Sequence, residues 1–386
     1  MSRGKPSAQQ LALANDMLTI LGPNDCVTEN LTDARNYGGL DGIMEMKRIF
    51  GQMLNTPAES VVVGDNSSLT MMYHMIAACM FDGDEAWAKQ GERVKFLCPA
   101  PGYDRHFAIC QKFGIEMLPV PLNDDGPDMD IVEQIISRDA KIKGMWCVPV
   151  YSNPTGIVYS DEVCGRIAAL QPAARDFRLF WDNAYCVHNF AEDRPQPFDI
   201  LRLATNPDMP VLFTSFSKIS FAGAAVAALA ASEANRSKYL NHIKIMTVGC
   251  DKLNQLRHAR YFNNLDGVLN HMQKMAAIVR PKFEATLDIL SGLEDIADWT
   301  RPKGGYFISF NAKPGLAVKI VAECKRQGVI MTEAGATFPY GNDPLDKNIR
   351  IAPTYPSLDE LTQAMKIFSR VARQESQKIV TRGLCT

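Results

Sequence analysis

Charge of one sign is the first thing this sequence lacks: its 41 basic residues are offset by 43 acidic ones, for a formal net charge of -2. That balance excludes a global field drawing the chain to nucleic acid or to an anionic membrane, so small-molecule partners are expected. Long apolar runs are missing as well. The most apolar window, Phe221 to Ala231, is far too short to span a bilayer, and the opening Met1-Ser2-Arg3-Gly4-Lys5-Pro6-Ser7 has no apolar signal core. The ten cysteines form no C-x-x-C pair, and Cys98 and Cys147 sit inside apolar runs, the pattern of reduced buried thiols and hence of a cytoplasmic protein. Six histidines show no H-E-x-x-H or paired spacing, so no metal is implied, and His188, six residues after Asp182, reads as a supporting hydrogen bonder rather than a ligand. No G-x-G-x-x-G follows an assignable strand, which disfavours a nicotinamide dehydrogenase. Repeats, low-complexity tracts and charge blocks are absent too.

What is present is a chain of 386 residues, 46% apolar, enough for a large core and for roughly two or three domains. From about Val61 to Leu240, short apolar runs alternate with helical patterns, the rhythm of βαβ units and a mostly parallel sheet. Strands are predicted near Lys95-Cys98, Met117-Val120, Gly144-Val150, Leu179-Trp181, Val211-Thr214 and Ala225-Leu229. Helices are predicted over Tyr103-Phe113, Asp128-Ser137 and Asp161-Leu170. After Asn235 the pattern turns helical through Tyr239-Val248, Asp251-Asn263 and Leu265-Ser291. It then returns to mixed α/β, with strands at Gly305-Phe310, Val329-Met331 and Asn348-Ile351, a helix at Leu316-Gln327 and a last helix from Leu358.

Three strand ends carry polar residues where a parallel sheet gathers its ligands, at the carboxyl edge. Tyr151-Ser152-Asn153-Pro154-Thr155-Gly156 follows one, Asp182-Asn183-Ala184-Tyr185 the next, and Ser215-Phe216-Ser217-Lys218 the third. Each alone also reads as ordinary turn or loop chemistry, and Lys218 alone as a surface lysine. Together they supply an amine, an acid, a phenol and an amide. Pyridoxal 5'-phosphate needs that set: a lysine for its aldehyde and a carboxylate to keep its ring nitrogen protonated. Lys218 is the candidate Schiff-base anchor, Asp182 the partner of the pyridinium, and Tyr185 and Asn153 the ligands of the ring oxygen.

The motifs Asn153-Pro154-Thr155-Gly156, Asp182-x-x-Tyr185, Ser215-x-Ser217-Lys218 and Asn348-Ile349-Arg350-Ile351-Ala352 occur in the order found in fold-type I pyridoxal-phosphate aminotransferases of class I/II, which the chain resembles along essentially its whole length. Arg3-Gly4-Lys5-Pro6-Ser7, Arg35-Asn36-Tyr37-Gly38 and Asp251 to His258 look most similar to the bacterial subgroup Ic of aspartate aminotransferases.

The resemblance implies the type I α/β fold, a large domain with a mostly parallel seven-stranded sheet and a smaller α/β domain. It divides the chain into an N-terminal arm (1–36) belonging to the small domain, a cofactor-binding domain (37–248), and an interdomain helix with the small C-terminal domain (249–386). By motif, Gly64-Asp65-Asn66-Ser67-Ser68 would form a phosphate cup at a helix start, helped by Ser215 and Ser217. Tyr103 would stack on the cofactor, Tyr37 would reach the phosphate of a homodimer partner, and Arg350 would grip the substrate α-carboxylate. Gly4 would lie over the substrate, which leaves little before it, so the natural chain is expected to start earlier. For a distal carboxylate the candidates are Lys252, Asn254 and Arg257; Lys252 and Arg257, five apart, do not share a helical face. One departure stands out: where relatives read Ala-Gly-x-Arg, this chain reads Phe221-Ala222-Gly223-Ala224-Ala225-Val226, without the phosphate-binding arginine.

The implied reaction is ping-pong transfer of an amino group between L-aspartate or L-glutamate and 2-oxoglutarate or oxaloacetate, with Lys218 as anchor and base. Alternatives on the same fold are a β-lyase or decarboxylase, or a non-catalytic cofactor-binding effector domain. Too few residues precede Tyr37 for the DNA-binding module such regulators carry.

Overall fold

The computed structural model describes residues 1, 3–64, 66–191 and 193–383, with side chains up to 378. One sheet contains β1 (Val61–Gly64), β2 (Lys95–Ala100), β3 (Glu116–Asn123), β4 (Gly126–Pro127), β5 (Ile142–Cys147), β6 (Arg178–Asp182), β7 (Pro210–Ser215) and β8 (Ala227–Ala231). Its order is β1-β8-β7-β6-β5-β2-β3-β4. From β7 to β3 all neighbours are parallel, while β8 runs antiparallel to both β1 and β7. Seven strands form the expected sheet. The eighth, β4, is a two-residue antiparallel addition to β3 made by the turn through Gly126.

Helices cover both faces, which is why β5 to β8 are apolar almost without interruption. The alternation is visible in β6: Leu179 and Trp181 pack into one core with Ile49, Phe50, Ile167 and Leu256, whereas Phe180 packs into the other with Met75, Phe107 and Tyr239. Because β5, β6 and β7 are parallel, Cys147, Asp182 and Ser215 all end on one edge.

A second, antiparallel sheet joins β9 (Asp298–Trp299), β10 (Ile308–Asn311) and β11 (Asn348–Ile351) in the order β11-β10-β9. Its core sets Ile308, Phe310 and Ile351 against Leu361, Met365 and Phe368 of the helix Leu358–Gly383. The helix Leu265–Leu290 links the two cores: Val268, Met272 and Met275 belong to the first, Val279, Phe283 and Leu290 to the second.

Two local expectations fail. Val329-Met331 is not a strand: Gly328 takes a left-handed φ of +86°, Val329 N–H caps the preceding helix on the Cys324 carbonyl, and Met331 to Glu333 run on to line a cavity. The helix expected at Tyr239-Val248 spans Glu233–Ile243 instead, because Ser232 caps it by accepting from Asn235 N–H. Among the described residues no helix is long and apolar enough to cross a membrane.

Candidate active site

Beyond β7 the chain turns sharply, with Ile219 and Ser220 N–H both donating to the Phe216 carbonyl, and Lys218 swings its amine to 4.9 Å from the Tyr185 ring centre. Desolvation of this half-buried amine lowers its pKa below the ordinary lysine value, opposed in part by Asp182. Its carbonyl accepts from Tyr306 Oη at 3.2 Å and lies 3.3 Å from His188 Nε2. Burial, and secondarily Lys218, push His188 down to about 3, so the ring is neutral and its Nε2 carries the donated hydrogen.

Asp182 ends β6. Its Oδ2 sits 3.1 Å from His106 Nε2, and His106 in turn stacks on Trp146 at 4.1 Å and 6°. Asp182 Oδ1 is buried with no hydrogen-bond partner among the described residues. A solitary carboxylate oxygen facing a cavity is a place for a cationic N–H.

Asn153 lies in the turn after β5, where Ser152 Oγ donates to the Val148 carbonyl and Gly156 N–H to the Ser152 carbonyl. Arg350 Nη1, from β11, donates to Asn153 Oδ1 at 3.2 Å and to Asp104 Oδ1 at 2.8 Å, and its Nε to Thr332 Oγ1 at 3.3 Å. The guanidinium lies 5.0 Å over the Phe307 ring. That ring needs a glycine at position 4, since a Cβ there would come within 2.4 Å of it.

Two adjoining cavities share Lys218, Tyr103, Asn153, Tyr185, Gly4 and Lys5. The smaller, about 250 Å³, adds Asp182, Ser67, Ser68, Ser215 and Ser217; the larger, about 660 Å³, adds Arg350, Arg3 and Arg105. Burial pushes Tyr103 up to about 12 and Tyr185 further, so both phenols stay protonated as donors. Ser67 caps the helix Ser68–Phe81 by accepting from Leu69 N–H at 3.2 Å. Ser217 Oγ donates to the Asn66 carbonyl at 3.1 Å and accepts at 3.1 Å from Ser215 Oγ. A helix start with four serines around it suits a phosphate. Asp65, the remaining residue expected in this cup, lies outside the described residues.

A family model described as aspartate amino-transferase matches residues 1–381. An aspartate aminotransferase of Corynebacterium glutamicum is 45% identical over 375 residues, covering 95% of this chain and 86% of that one. The chain belongs to the aspartate aminotransferase family. A crystal structure of an aspartate transaminase from Corynebacterium glutamicum superposes with a TM-score of 0.94 at 43% identity, covering 98% of this chain and 91% of the other. The α-aminoadipate aminotransferase LysN of Thermus thermophilus, complexed with N-(5'-phosphopyridoxyl)-L-leucine, shares the fold at 20% identity with a TM-score of 0.79, over 97% of this chain and 92% of that one. As a member of the aspartate aminotransferase family, the chain is an enzyme, a transaminase.

For this aspartate aminotransferase-type site, sequence reasoning missed His106 and Asp104. Both lie on the helix Asp104–Lys112, where His106 N–H bonds back to the Tyr103 carbonyl, so proximity to Tyr103 was the one available signal. Three expected substrate ligands lie elsewhere. Lys252 lines neither cavity; it is 3% exposed, and its Nζ donates to the Asn36 and Gly38 carbonyls at 2.8 and 2.6 Å. Asn254 Nδ2 donates to the Ala224 and Ala225 carbonyls, both at 3.0 Å, and Arg257 Nη2 donates to Asn254 Oδ1 at 2.5 Å. Tyr37, 82% exposed, lines neither cavity of its own chain.

Proposed function

We propose that this transaminase carries pyridoxal 5'-phosphate on Lys218 and moves an amino group between L-aspartate or L-glutamate and 2-oxoglutarate or oxaloacetate. One juxtaposition carries the reading: a desolvated lysine amine and a buried, unpartnered carboxylate oxygen in one cavity, with a serine-lined helix start at its end. When bound, the cofactor supplies an electron sink for negative charge at the substrate α-carbon. The residues supply the rest.

Asp182 Oδ1 would hold the ring N–H, and His106 on its other oxygen fixes the carboxylate's orientation. Asn153 and Tyr185 would donate to the ring oxygen, Tyr103 would cover the ring, and Asn66, Ser67, Ser68, Ser215 and Ser217 would hold the phosphate. Lys218, its pKa lowered by burial, would hold the aldehyde and, once displaced by the substrate amine, would move the substrate α-proton. Arg350 would grip the α-carboxylate. Asp104, Asn153 and Thr332 hold its Nη1 and Nε, which fixes the guanidinium for that contact. A distal carboxylate would meet Arg3, Lys5 or Arg105 in the larger cavity, with Gly4 between the first two. Tyr37 would complete the phosphate site of a second subunit in a homodimer with shared sites.

The deciding experiment is borohydride reduction of the protein supplied with pyridoxal phosphate, followed by peptide mapping. A pyridoxyl label on the Lys218 peptide is expected. Lys218→Ala should lose both the label and turnover, the latter by at least about 10³-fold. A label elsewhere ends the reading. Acidic amino donors should bleach the bound cofactor's visible absorbance far faster than aromatic ones; the reverse order would discard the substrate class.

A further inference from the structure

The phosphate of the proposed cofactor carries a charge of about -1.5 to -2, yet the cup around it offers only dipoles: helix N–H groups and the hydroxyls of Ser67, Ser68, Ser215 and Ser217. Two lysines line the same cavity. Lys218 is taken by the aldehyde in the reading above, and the Lys5 ammonium sits 4.0 Å over the Tyr355 ring. A dianion held away from water by dipoles alone is poorly compensated, and a guanidinium matches phosphate best.

We propose that Arg257 is that cation, carried to the back of the cup by Asn254. Arg257 lies on the helix Lys252–Phe262, one turn beyond Asn254. Asn254 Nδ2 clamps the Ala224 and Ala225 carbonyls of the turn that follows Lys218, while its Oδ1 holds Arg257 Nη2. The clamped turn, Ala222 to Ala225, has no side chain larger than methyl, which leaves the space beside it to the guanidinium. On the cup side, the Asn66 carbonyl is tied to Ser217 Oγ. Asn66, Ala224, Asn254 and Arg257 line one cavity of about 530 Å³, so the guanidinium and the cup backbone share a wall. Arg257 is also uncommitted: no carboxylate pairs with it among the described residues, and its Nε is buried without an acceptor. A buried guanidinium N–H left open beside an anion cup is a donor awaiting its acceptor. Arg257 lines neither of the two cavities that hold Lys218; it faces the cup from the third, where Asn66 and Asn254 are its neighbours.

The inference rests on the cofactor reading and is tested so that the two fail separately. Apo-protein is titrated with pyridoxal phosphate and, in parallel, with pyridoxal, which lacks the phosphate. Arg257→Gln, which keeps a polar group for Asn254, should weaken pyridoxal phosphate by about 10- to 100-fold and leave pyridoxal within about twofold. Arg257→Lys should recover part of the loss. Equal weakening of both ligands, or of neither, overturns the role of Arg257 while leaving Lys218 untouched; failure of the wild type to take a label on Lys218 sinks the cofactor reading itself. Should Arg257→Gln not fold, phenylglyoxal labelling of wild-type apo-protein decides: inorganic phosphate should slow modification of the Arg257 peptide, and no protection overturns the proposal.

Discussion

Two regions of this chain hold residues poised for something outside them, and they are built in opposite ways. At the carboxyl edge of β5 to β7, Asn153, Asp182 and Ser215 are 4 to 6% exposed and fixed by neighbours within the chain. Around Tyr37 the reverse holds. Tyr37 is 82% exposed, Ile245 84% and Val248 63%, and Gly38 N–H bonds to the Val248 carbonyl, which sets the segment of Tyr37 beside that of Val248. Beneath it, Lys252 spends its charge on two backbone carbonyls. The first region is preorganised for a small ligand, because its dipoles are already aimed and pay little to reorient. The second is left uncovered, with large apolar side chains standing in solvent.

The sharpest way to break the contrast is to remove charge from the preorganised region without changing its shape. Asp182→Asn keeps the side-chain outline but deprives Oδ1 of its charge, and should lower turnover by about 10²- to 10³-fold with the circular dichroism spectrum unchanged. Near-normal turnover would mean that the orphaned oxygen is a packing accident.

A smaller effect is expected at the uncovered region. Lys252→Met preserves length and removes both hydrogen bonds, leaving the Asn36 and Gly38 carbonyls without that donor, at a cost of about 1.5–3 kcal/mol per charge-assisted bond lost at most. The loop carrying Tyr37 should loosen. Light scattering should show a dimer for the wild type and a shift toward monomer on dilution for the variant; a wild type that is monomeric at all concentrations would remove the partner from the account.

How far these regions were legible in the sequence follows from where their partners lie. Lys218, Asp182, Asn153 and Tyr185 stand just beyond apolar strands, and the parallel order of β5, β6 and β7 brings such strand ends together without further information. His106 and Asp104 were not legible, because their partners Asp182 and Arg350 are 76 and 246 positions away and nothing in a helical pattern marks a residue for a distant strand. Lys252 misled for a related reason. Its charge suggested a substrate carboxylate, but backbone carbonyls 216 and 214 positions away, invisible in any motif, take it up. The absence of an arginine after Lys218 could be seen at once, whereas the clamp that brings Arg257 toward the same turn needed coordinates. The error at Val329-Met331 has a local cause: a β-branched run looked like a strand, and the backbone N–H that would pair in a sheet was already spent capping a helix.

The smallest predicted effect probes how firmly the preorganised region is built. His188 is 3% exposed and neutral, its pKa pushed down to about 3 by burial first and by Lys218 second. In the unfolded chain the same ring titrates near the ordinary value of about 6.5. As pH falls from about 6.5 toward 3, the unfolded state gains a proton that the folded state refuses, so stability drops by up to about 1.4 kcal/mol per pH unit from this group alone. His188→Phe removes that term, along with the contact to the Lys218 carbonyl at 3.3 Å, which costs about 1 kcal/mol at neutral pH. The two costs run in opposite directions with acidity. The variant should therefore melt below the wild type at pH 7.5 and close or reverse the gap by pH 4.5, because each loses its carboxylate interactions equally while the wild type alone bears the imidazole's reluctance to charge. A constant gap across that range would show that His188 takes up its proton in the folded state, and that the shell around Lys218 is wetter than its packing implies.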